Sequence, residues 1–376
     1  MKNDNQKPIR ILQATVANDR GGLTGYICQN YKFIDKRKIQ FDFITYDNVL
    51  EFEDELKKQG ANFYHIVRPI HFFKYIKQMS AIQNKMQYGT IHFNLSYANI
   101  LLILIARIVG IKNIIIHAHS TQIDDKRFLI RLVKENIHKF GKLLIPRIAK
   151  TFLACSFPAA QWMFKKSVID KKKYTIAHNA VEIEKYVFSE SKRRKKRFEL
   201  GLGEDCFCIG HVGRFTYQKN HEFLVDIFIE ILKIKKNSKL ILIGDGENLC
   251  DIQKMAKRKN VTENILFLGL CDDVPDLMQA MDCFVLPSRF EGLGIVGIEA
   301  QAAGLPSFFS DVVPKELGIT NLANFISLNE SAKYWSKNIL QNCNVKRLDM
   351  SKKIAEAGYD IKTEIKKLEK IYLYNW

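Results

Sequence analysis

The sequence predicts an α/β protein with two domains, each built on a parallel β-sheet with helices on both faces. Short apolar runs alternate with charged or amphipathic segments along most of the chain, as in repeated strand, helix and parallel-strand units. Glycines follow several of these runs, where a chain leaving a strand turns into a helix. At 376 residues the chain is long enough for two hydrophobic cores. We expect domains at residues 1–184 and 185–350, followed by a helical segment at 351–376.

The first half of the chain carries the strand and helix alternation most clearly. An apolar run at residues 100–109 is about half as long as a membrane-spanning helix and contains Arg107, so it predicts a buried helix. The last segment, residues 352–376, reads as one amphipathic helix. Strands are predicted at residues 9–15, 41–46, 62–67, 90–94, 113–117 and 151–155.

The stretch PSRFEGLGIVGIEAQAAGLP, residues 287–306, follows an apolar run that predicts a buried strand. Gly292 and Gly294 allow a sharp turn, and a helix is expected to start at Ile295 with its first amides facing that turn. Such a helix start attracts phosphate, and Glu299, about one turn later, can reach a hydroxyl group. The alternative is a plain strand, turn and helix in which Glu291 and Glu299 are solvated.

A second strand and turn contains Gly213, Arg214 and Lys219 before a helix that is expected near residue 220. A guanidinium and an ammonium at such a turn can neutralise a diphosphate, although a surface pair without a ligand is the alternative. Other strand ends carry the glycines that are expected along the same sheet edge, Gly244 and Gly269. The pair Gly21 and Gly22 gives the first domain a weaker version of the same pattern, without the full dinucleotide-binding spacing.

Histidines end two predicted strands of the first domain, His92 in one and His117 and His119 in the other. Ligands of parallel sheets bind beyond the carboxyl ends of the strands, so these rings are candidate site residues. A structural role inside the sheet is the alternative. The eight cysteines show no zinc-binding spacing, which predicts reduced side chains and no metal site.

The formal net charge of +18 predicts attraction to a polyanion. Residues 71–79 and 126–150 combine Phe, Ile and Leu with Lys and Arg, which favours helices that lie on an anionic membrane surface. The alternative is a helix whose apolar stripe packs on the sheet while its basic face is solvated. The N-terminal residues lack the apolar segment of a signal peptide, so we expect a cytoplasmic protein at the inner face of the membrane.

Together these motifs resemble the glycosyltransferase family 4 enzymes, and among them the branch of bacterial capsular and exopolysaccharide synthesis. The two glutamates of FEGLGIVGIEAQAAGLP have the family's spacing, and GRFTYQKN matches its phosphate-binding loop. The resemblance runs from about residue 8 to 345. Further matches are GGLTGYICQNYKFIDKRKIQFDF, IIIHAHST, LACS, IAHNAV, ILIGDGE and SDVVPKE. The last of these replaces a glycine-rich loop that many relatives carry, which leaves the roles of Asp311 and Glu316 undefined.

The resemblance implies a GT-B fold, in which two Rossmann-like domains face each other across a cleft and the C-terminal helix crosses back to the first domain. It implies retaining transfer from a nucleotide sugar without a bound metal or cofactor. By the same resemblance, Arg214 and Lys219 hold the donor diphosphate, Glu299 binds the ribose and Glu291 supports the donor sugar. His119 would lie beside that sugar, with His117 in reserve. The remaining donor-binding residues implied by the resemblance are Gly21, Gly22, Gly213, Gly244, Gly269, Leu270, Val274, Gly292, Leu293, Gly294 and Ile295.

The resulting expectation is an enzyme that moves a sugar, probably carried on UDP, to a polyprenyl diphosphate-linked oligosaccharide. In this arrangement residues 1–184 bind the acceptor and residues 185–350 bind the donor. One competing hypothesis is an epimerase of the same fold that acts on a nucleotide sugar. Another is a basic nucleic-acid-binding protein, which the sequence does not favour because aromatic-rich basic motifs are missing.

Overall fold

The computed structural model describes residues 7–18, 22–125 and 127–374. It divides the chain into two compact units. The first contains the residues up to 179 and those from 361 onward, and the second contains residues 180–360. The predicted boundaries after residues 184 and 350 lie five and ten residues from these positions. The chain of the second unit is longer at its C-terminal end because a helix at residues 351–356 packs against a short turn at residues 183–185.

The first unit has, within its described residues, a parallel sheet of seven strands in the order β3-β2-β1-β4-β5-β6-β7. Its strands are β1 (Ile9–Val16), β2 (Ile39–Thr45), β3 (Phe63–His65), β4 (Thr90–Leu95), β5 (Asn113–Ala118), β6 (Thr151–Ala154) and β7 (Thr175–Ile176). The helices between them are α1 (Gly22–Phe33), α2 (Glu53–Lys58), α3 (Phe72–Met86), α4 (Ile100–Ile108), α5 (Phe128–Ile148), α6 (Phe157–Met163) and α7 (Lys166–Asp170).

The second unit has a parallel sheet of six described strands in the order β10-β9-β8-β11-β12-β13. Its strands are β8 (Phe207–Val212), β9 (Ser238–Ile243), β10 (Ile265–Gly269), β11 (Cys283–Leu286), β12 (Ser307–Ser310) and β13 (Ala323–Ile326). Its helices are α8 (Glu190–Glu199), α9 (His221–Ile234), α10 (Leu249–Arg258), α11 (Val274–Ala280), α12 (Ile295–Ala302), α13 (Ala332–Asn342) and α14 (Ser351–Glu356), with 3₁₀ turns at Ile183–Lys185, Thr262–Asn264 and Lys315–Leu317.

Central strands are buried along their whole length because helices cover both faces of each sheet. All six residues of β4 and all four of β11 and β12 are buried. A strand that is covered on both faces reads as a continuous apolar run rather than as an alternation. The strands β12 and β13 are too short to give a clear sequence signal, and the sequence analysis did not predict them.

The C-terminal segment differs from the single helix predicted for residues 352–376. It forms α14 and then α15 (Ile361–Tyr374), which are separated by a turn in which Gly358 has φ +88°. A left-handed residue ends a helix because the next turn cannot continue the right-handed hydrogen-bond ladder. After that turn, α15 packs against α1 of the first unit. The C-terminal helix therefore returns to the N-terminal domain, as expected.

The charge run at residues 192–197 lies in α8 and is only partly solvated. Arg197 is buried and donates to the carbonyl oxygens of Ala280 and Cys206. Arg193 binds Asp282 in the same region. These arginines fix α8 to the sheet edge, so much of the densest charge run serves packing. Among the described residues, no helix is both long and apolar enough to span a bilayer.

Candidate functional site

Each sheet has one place where the strand order reverses direction, and ligands of open parallel sheets bind beyond the strand ends at that place. In the second unit the reversal lies between β8 and β11, which are neighbours in the sheet although β9 and β10 intervene in sequence. The loop after β8 carries Gly213, Arg214 and Lys219, and the loop after β11 carries Glu291. The chain order therefore brings both predicted motifs to one edge.

Lys219 and Glu291 meet at this edge in an ion pair with 2.7 Å between Nζ and Oε1. Both side chains are largely buried, with 14% and 6% of their surface exposed. Ser288 Oγ donates to Oε1 of the same carboxylate at 2.7 Å. Gln218 Nε2 donates to Oε2 at 2.9 Å. Glu291 is therefore a fixed, fully hydrogen-bonded group rather than a solvated one.

Glu299 lies on α12 close enough to Lys219 for the ammonium to lower the pKa of its carboxyl group. Burial is the larger effect and raises that pKa to about 7. The Tyr186 hydroxyl donates a hydrogen bond to the carboxylate, which also lowers the pKa. Near neutral pH, Glu299 is thus balanced between its neutral and charged forms, a property more typical of ligand-binding carboxylates than of surface ones.

Glycines at this edge let the strand-end loops approach each other closely. A Cβ on Gly244, whose φ is +135°, would lie 2.2 Å from the carbonyl oxygen of Gly213. A Cβ on Gly213 would lie 3.0 Å from Cε of Lys219. Gly294 has φ +89° and caps α12, so the first turn of that helix begins directly after the Glu291 loop. These positions require glycine for the turn or for the close contact.

The other predicted donor-binding residues lie along the same sheet edge. Arg214 is exposed in the loop after β8, in the part of the chain that also carries Lys219. Gly269 ends β10 with φ +67°, and the exposed Leu270 follows it. Val274 is the first residue of α11. Gly292 and Leu293 are buried and Ile295 is partly buried at the start of α12.

In the first unit the strand order reverses between β1 and β4. His119 follows β5, the next strand, and its Nε2 lies 3.1 Å from Oδ1 of Asn94. Burial lowers the pKa of His119 to about 3, so the ring is neutral at physiological pH. His117 is completely buried inside β5, and burial lowers its pKa further, which fits the structural alternative for this ring.

The glycines before α1 are the remaining predicted site residues. Gly22 is the exposed first residue of that helix, and a Cβ added there would meet no atom within 4 Å. Gly21 lies outside the described residues. In those that are described, no group of three His, Cys, Asp or Glu side chains is placed to share a metal ion.

Several side chains at these two sheet edges were not singled out from the sequence. Gln218 and Ser288 hold Glu291, and each stands within three residues of a predicted site residue, so local proximity was a usable signal. Tyr186 binds Glu299 across a long stretch of sequence. Asn94 binds His119 across 25 positions, and no local pattern indicates either pair.

Comparison with known sequences gives a consistent result. The family model described as glycosyl transferases, group 1, matches residues 192–359. EpsF of Bacillus subtilis, which is assigned as a glycosyltransferase, is 28% identical over 384 aligned residues covering 98% of this chain and 97% of EpsF. The UDP-Gal:alpha-D-GlcNAc-diphosphoundecaprenol alpha-1,3-galactosyltransferase of Escherichia coli is 26% identical, and the alignment covers 66% of this chain and 65% of that enzyme.

Among solved structures, Anabaena HepE in complex with UDP-glucose superposes with a TM-score of 0.78. The superposition covers 98% of this chain and all of HepE, at 17% sequence identity. At that identity the likeness concerns the fold alone. It extends over both units, whereas the family model matches a segment within the second.

Proposed function

Because this chain is a glycosyltransferase of group 1 with the GT-B fold, we propose that it transfers one sugar from a UDP-sugar to a polyprenyl diphosphate-linked glycan, with retention of anomeric configuration. The predicted fold class and enzyme class are thereby confirmed. The donor, the acceptor and the stereochemistry are our proposal, as are the site roles given below. The polysaccharide would be an exopolysaccharide or a capsule.

The cluster of Lys219, Glu291 and Glu299 at the reversal of the second sheet carries this proposal. In the transfer, the bond between the anomeric carbon and the phosphate oxygen breaks, and the diphosphate keeps the electron pair. Lys219 and Arg214, with the amides at the start of α12, stabilise the growing negative charge. Glu299 accepts hydrogen bonds from the ribose hydroxyls, and Glu291 holds Lys219 and contacts the donor sugar.

The acceptor hydroxyl attacks the anomeric carbon from the face that the diphosphate leaves. Its proton passes to the departing phosphate oxygen, so the reaction needs neither a protein nucleophile nor an enzyme base. Two fixed cations and helix amides provide charge stabilisation that a divalent ion supplies in other transferases. We therefore propose that transfer proceeds without a metal ion or other cofactor, which a chelator titration of the assay tests directly.

The identities of donor and acceptor are supported by the relatives. HepE binds UDP-glucose, and the E. coli relative acts on a diphosphoundecaprenol-linked sugar according to its name. EpsF, which aligns with nearly the whole chain, bears the name of a glycosyltransferase. For this chain we propose the same two substrate classes, a uridine nucleotide and a lipid-linked glycan, without assigning the sugar.

The experiment is a donor-turnover assay with UDP-sugars in the presence and absence of a polyprenyl diphosphate-linked acceptor. Lys219→Ala and Glu299→Ala should each reduce turnover by at least about 100-fold, a loss typical for removal of a charge that stabilises the transition state. Lys236→Ala, which removes an exposed lysine at the end of α9, is the matched control and should be fully active. Full activity of both site variants would contradict the assigned site. Conversion of the donor to its epimer without an acceptor would identify an epimerase instead.

Membrane association is the second part of the proposed function, because a lipid-linked acceptor lies in the bilayer. We define the apolar-basic face as the solvent-exposed surface of α3, α4 and α5. These three helices form one surface of the first unit, since α5 packs on α4 and α4 contacts α3. More than half of the exposed large hydrophobic side chains among the described residues lie between residues 70 and 143.

The apolar-basic face has the composition of a membrane surface helix on all three elements. Phe73 and Leu129 are 85% and 73% exposed, and Phe140 is 59% exposed. The three helices contain nine Lys or Arg residues and a single acidic residue, Glu135. Apolar side chains that enter the headgroup region and cations that face anionic lipid are the two contributions to interfacial binding. We propose an anionic bilayer, rather than a nucleic acid, as the partner of this face.

Sedimentation with lipid vesicles tests this assignment. Vesicles containing phosphatidylglycerol should bind the protein, vesicles of phosphatidylcholine alone should bind it weakly, and added salt should release it. Phe73→Glu and Leu129→Glu should each weaken binding by about 10-fold or more, since each buried aromatic or aliphatic side chain contributes about 1.5–3 kcal/mol. Phe198→Glu, at an 87% exposed position in the second unit, is the control. Equal binding by all three variants, or tighter binding to DNA than to vesicles, would contradict the proposal.

A further inference from the structure

A chain of buried polar side chains connects the C-terminal helix with His119. Tyr372, on α15, receives a hydrogen bond from Nε2 of Gln13 at 3.1 Å. Oε1 of Gln13 accepts one from Nδ2 of Asn94, also at 3.1 Å. Oδ1 of Asn94 then lies 3.1 Å from Nε2 of His119. At the other end, the Tyr372 hydroxyl lies 2.6 Å from Nδ1 of His92.

The chain has one consistent direction. Asn94 uses its amide nitrogen on Gln13, so the group that faces His119 is an oxygen, which can only accept. His119 must therefore carry its proton on Nε2. Because the Tyr372 hydroxyl accepts from Gln13, its own hydrogen is available for Nδ1 of His92. Every bond from His119 to His92 then has one donor and one acceptor.

Burial makes this arrangement persistent. Gln13, His92, Asn94 and Tyr372 are each at most 3% exposed, so water does not compete for their hydrogen bonds. Burial also lowers the pKa of His92 and of His119 to about 3, so both rings stay neutral at physiological pH. Neutral imidazole has two tautomers, and its hydrogen-bond partner selects between them.

We propose that Tyr372, Gln13 and Asn94 are positioning residues that hold His119 in one orientation and in its Nε2-protonated tautomer. This inference rests on the proposed function in so far as His119 lies beside the donor sugar. Tyr372 reaches the first unit only after the chain has passed through the whole second unit, since α15 begins at residue 361. Docking of the C-terminal helix therefore completes the hydrogen-bond chain that ends on a candidate site residue of the N-terminal domain.

The kinetic test is Tyr372→Phe, which removes the hydroxyl and keeps the ring. We expect kcat to fall about 10- to 100-fold, as for a small displacement of a group near the reacting atoms, with KM for the donor changed less than threefold. Tyr374→Phe is the matched control, because Tyr374 lies on the same helix and is 79% exposed. An equal loss in both variants, or a loss in KM alone, would overturn the proposal.

The spectroscopic test does not depend on transferase activity. Nitrogen NMR of protein labelled at its nine histidines, with His119→Gln to assign the signal, reports which ring nitrogen is protonated. We expect the Nε2-protonated form of His119 in the unsubstituted protein and a tautomer mixture in Tyr372→Phe. Gln13→Met interrupts the chain at its centre without altering α15, and should have the same effect if Tyr372→Phe does not fold.

An unchanged His119 signal in both variants would overturn the inference while leaving the transferase proposal intact. Conversely, an unsubstituted protein that transfers no sugar but shows the tautomer shift would overturn the proposed function and support the hydrogen-bond chain. The two proposals therefore fail in different experiments.

Discussion

Lys219 and Glu291 form an ion pair that is shielded from solvent by the loops after β8 and β11, with 2.7 Å between Nζ and Oε1. Ser288 and Gln218 donate to the same carboxylate, so three donors compensate one negative charge. The ammonium is thereby oriented before any ligand arrives. A diphosphate would add a second anion to a cation whose position is already fixed, which is how preorganised sites stabilise developing charge.

Removal of the ammonium alone should destabilise the protein as well as inactivate it. Lys219→Met leaves Glu291 buried without its counter-ion, and breaking a buried pair in this way costs about 3 kcal/mol or more. The double variant Lys219→Met, Glu291→Gln removes both charges and should recover most of that loss, because an uncharged amide keeps the bonds from Ser288 and Gln218. Urea denaturation gives the free energies of unfolding.

The same variants separate stability from chemistry. The double variant should remain inactive in donor turnover even though it is stable, since neither residue can then act on the diphosphate. Recovery of activity together with stability would mean that the pair serves only the fold. No recovery of stability would mean that the coupling energy between the two charges is small.

The sequence predicted those parts of the site that depend on neighbouring residues. Glu291, Gly294 and Glu299 lie within nine positions on a strand, turn and helix, and Lys219 follows its strand by the same rule. Local turn chemistry and strand-end position were sufficient for these. Tyr372 and Gln13, by contrast, are 359 positions apart, and only the return of α15 to the first unit brings them together. Such a contact has no local pattern.

The fold shows the same limit. The alternation of strands and helices was visible because buried parallel strands are continuous apolar runs, but β12 and β13 are four residues each and lack that length. The division of the last helix depends on Gly358, whose left-handed conformation ends α14. A glycine inside an amphipathic pattern is compatible with a continuous helix, so its effect here is set by tertiary packing.

Glu299 should make the stability of the protein depend on pH in a defined direction. Its folded-state pKa of about 7 lies above the ordinary value of 4.5. The folded protein therefore binds more protons than the unfolded chain between these values, and stability falls as pH rises from 4.5 to 7. Above pH 7 the loss is complete, because Glu299 is ionised in both states.

Glu299→Gln removes this titration and keeps an acceptor for Tyr186. Relative to the unsubstituted protein, the variant should gain about 2 kcal/mol between pH 4 and pH 8, a value reduced because the carboxylate is partly exposed. Denaturation at a series of pH values measures the difference. A difference that stays constant, or that grows toward acid, would show that Glu299 titrates normally in the folded state.

Tyr186 should influence nucleotide binding through Glu299 alone. Tyr186→Phe removes the hydroxyl that stabilises the ionised carboxylate, so the pKa of Glu299 should rise further. If the ribose binds to the charged form, the pH profile of thermal stabilisation by UDP should move to higher pH in the variant, and the affinity at high pH should be nearly unchanged. An affinity that is reduced equally at every pH would point to direct contact between Tyr186 and the nucleotide.

Gly244 should tolerate no side chain, because a Cβ there would lie 2.2 Å from the Gly213 carbonyl oxygen and φ is +135°. Gly244→Ala must strain its own backbone and displace the loop after β8, at a cost of about 2 kcal/mol or more. The displaced loop carries Lys219, so UDP-sugar turnover should fall together with stability. Gly203→Ala is the control, since a Cβ at that position meets no atom within 4 Å. Thermal unfolding of both variants measures the effect, and a Gly244→Ala protein that unfolds at the same temperature as the control would show that the two strand-end loops can separate without cost.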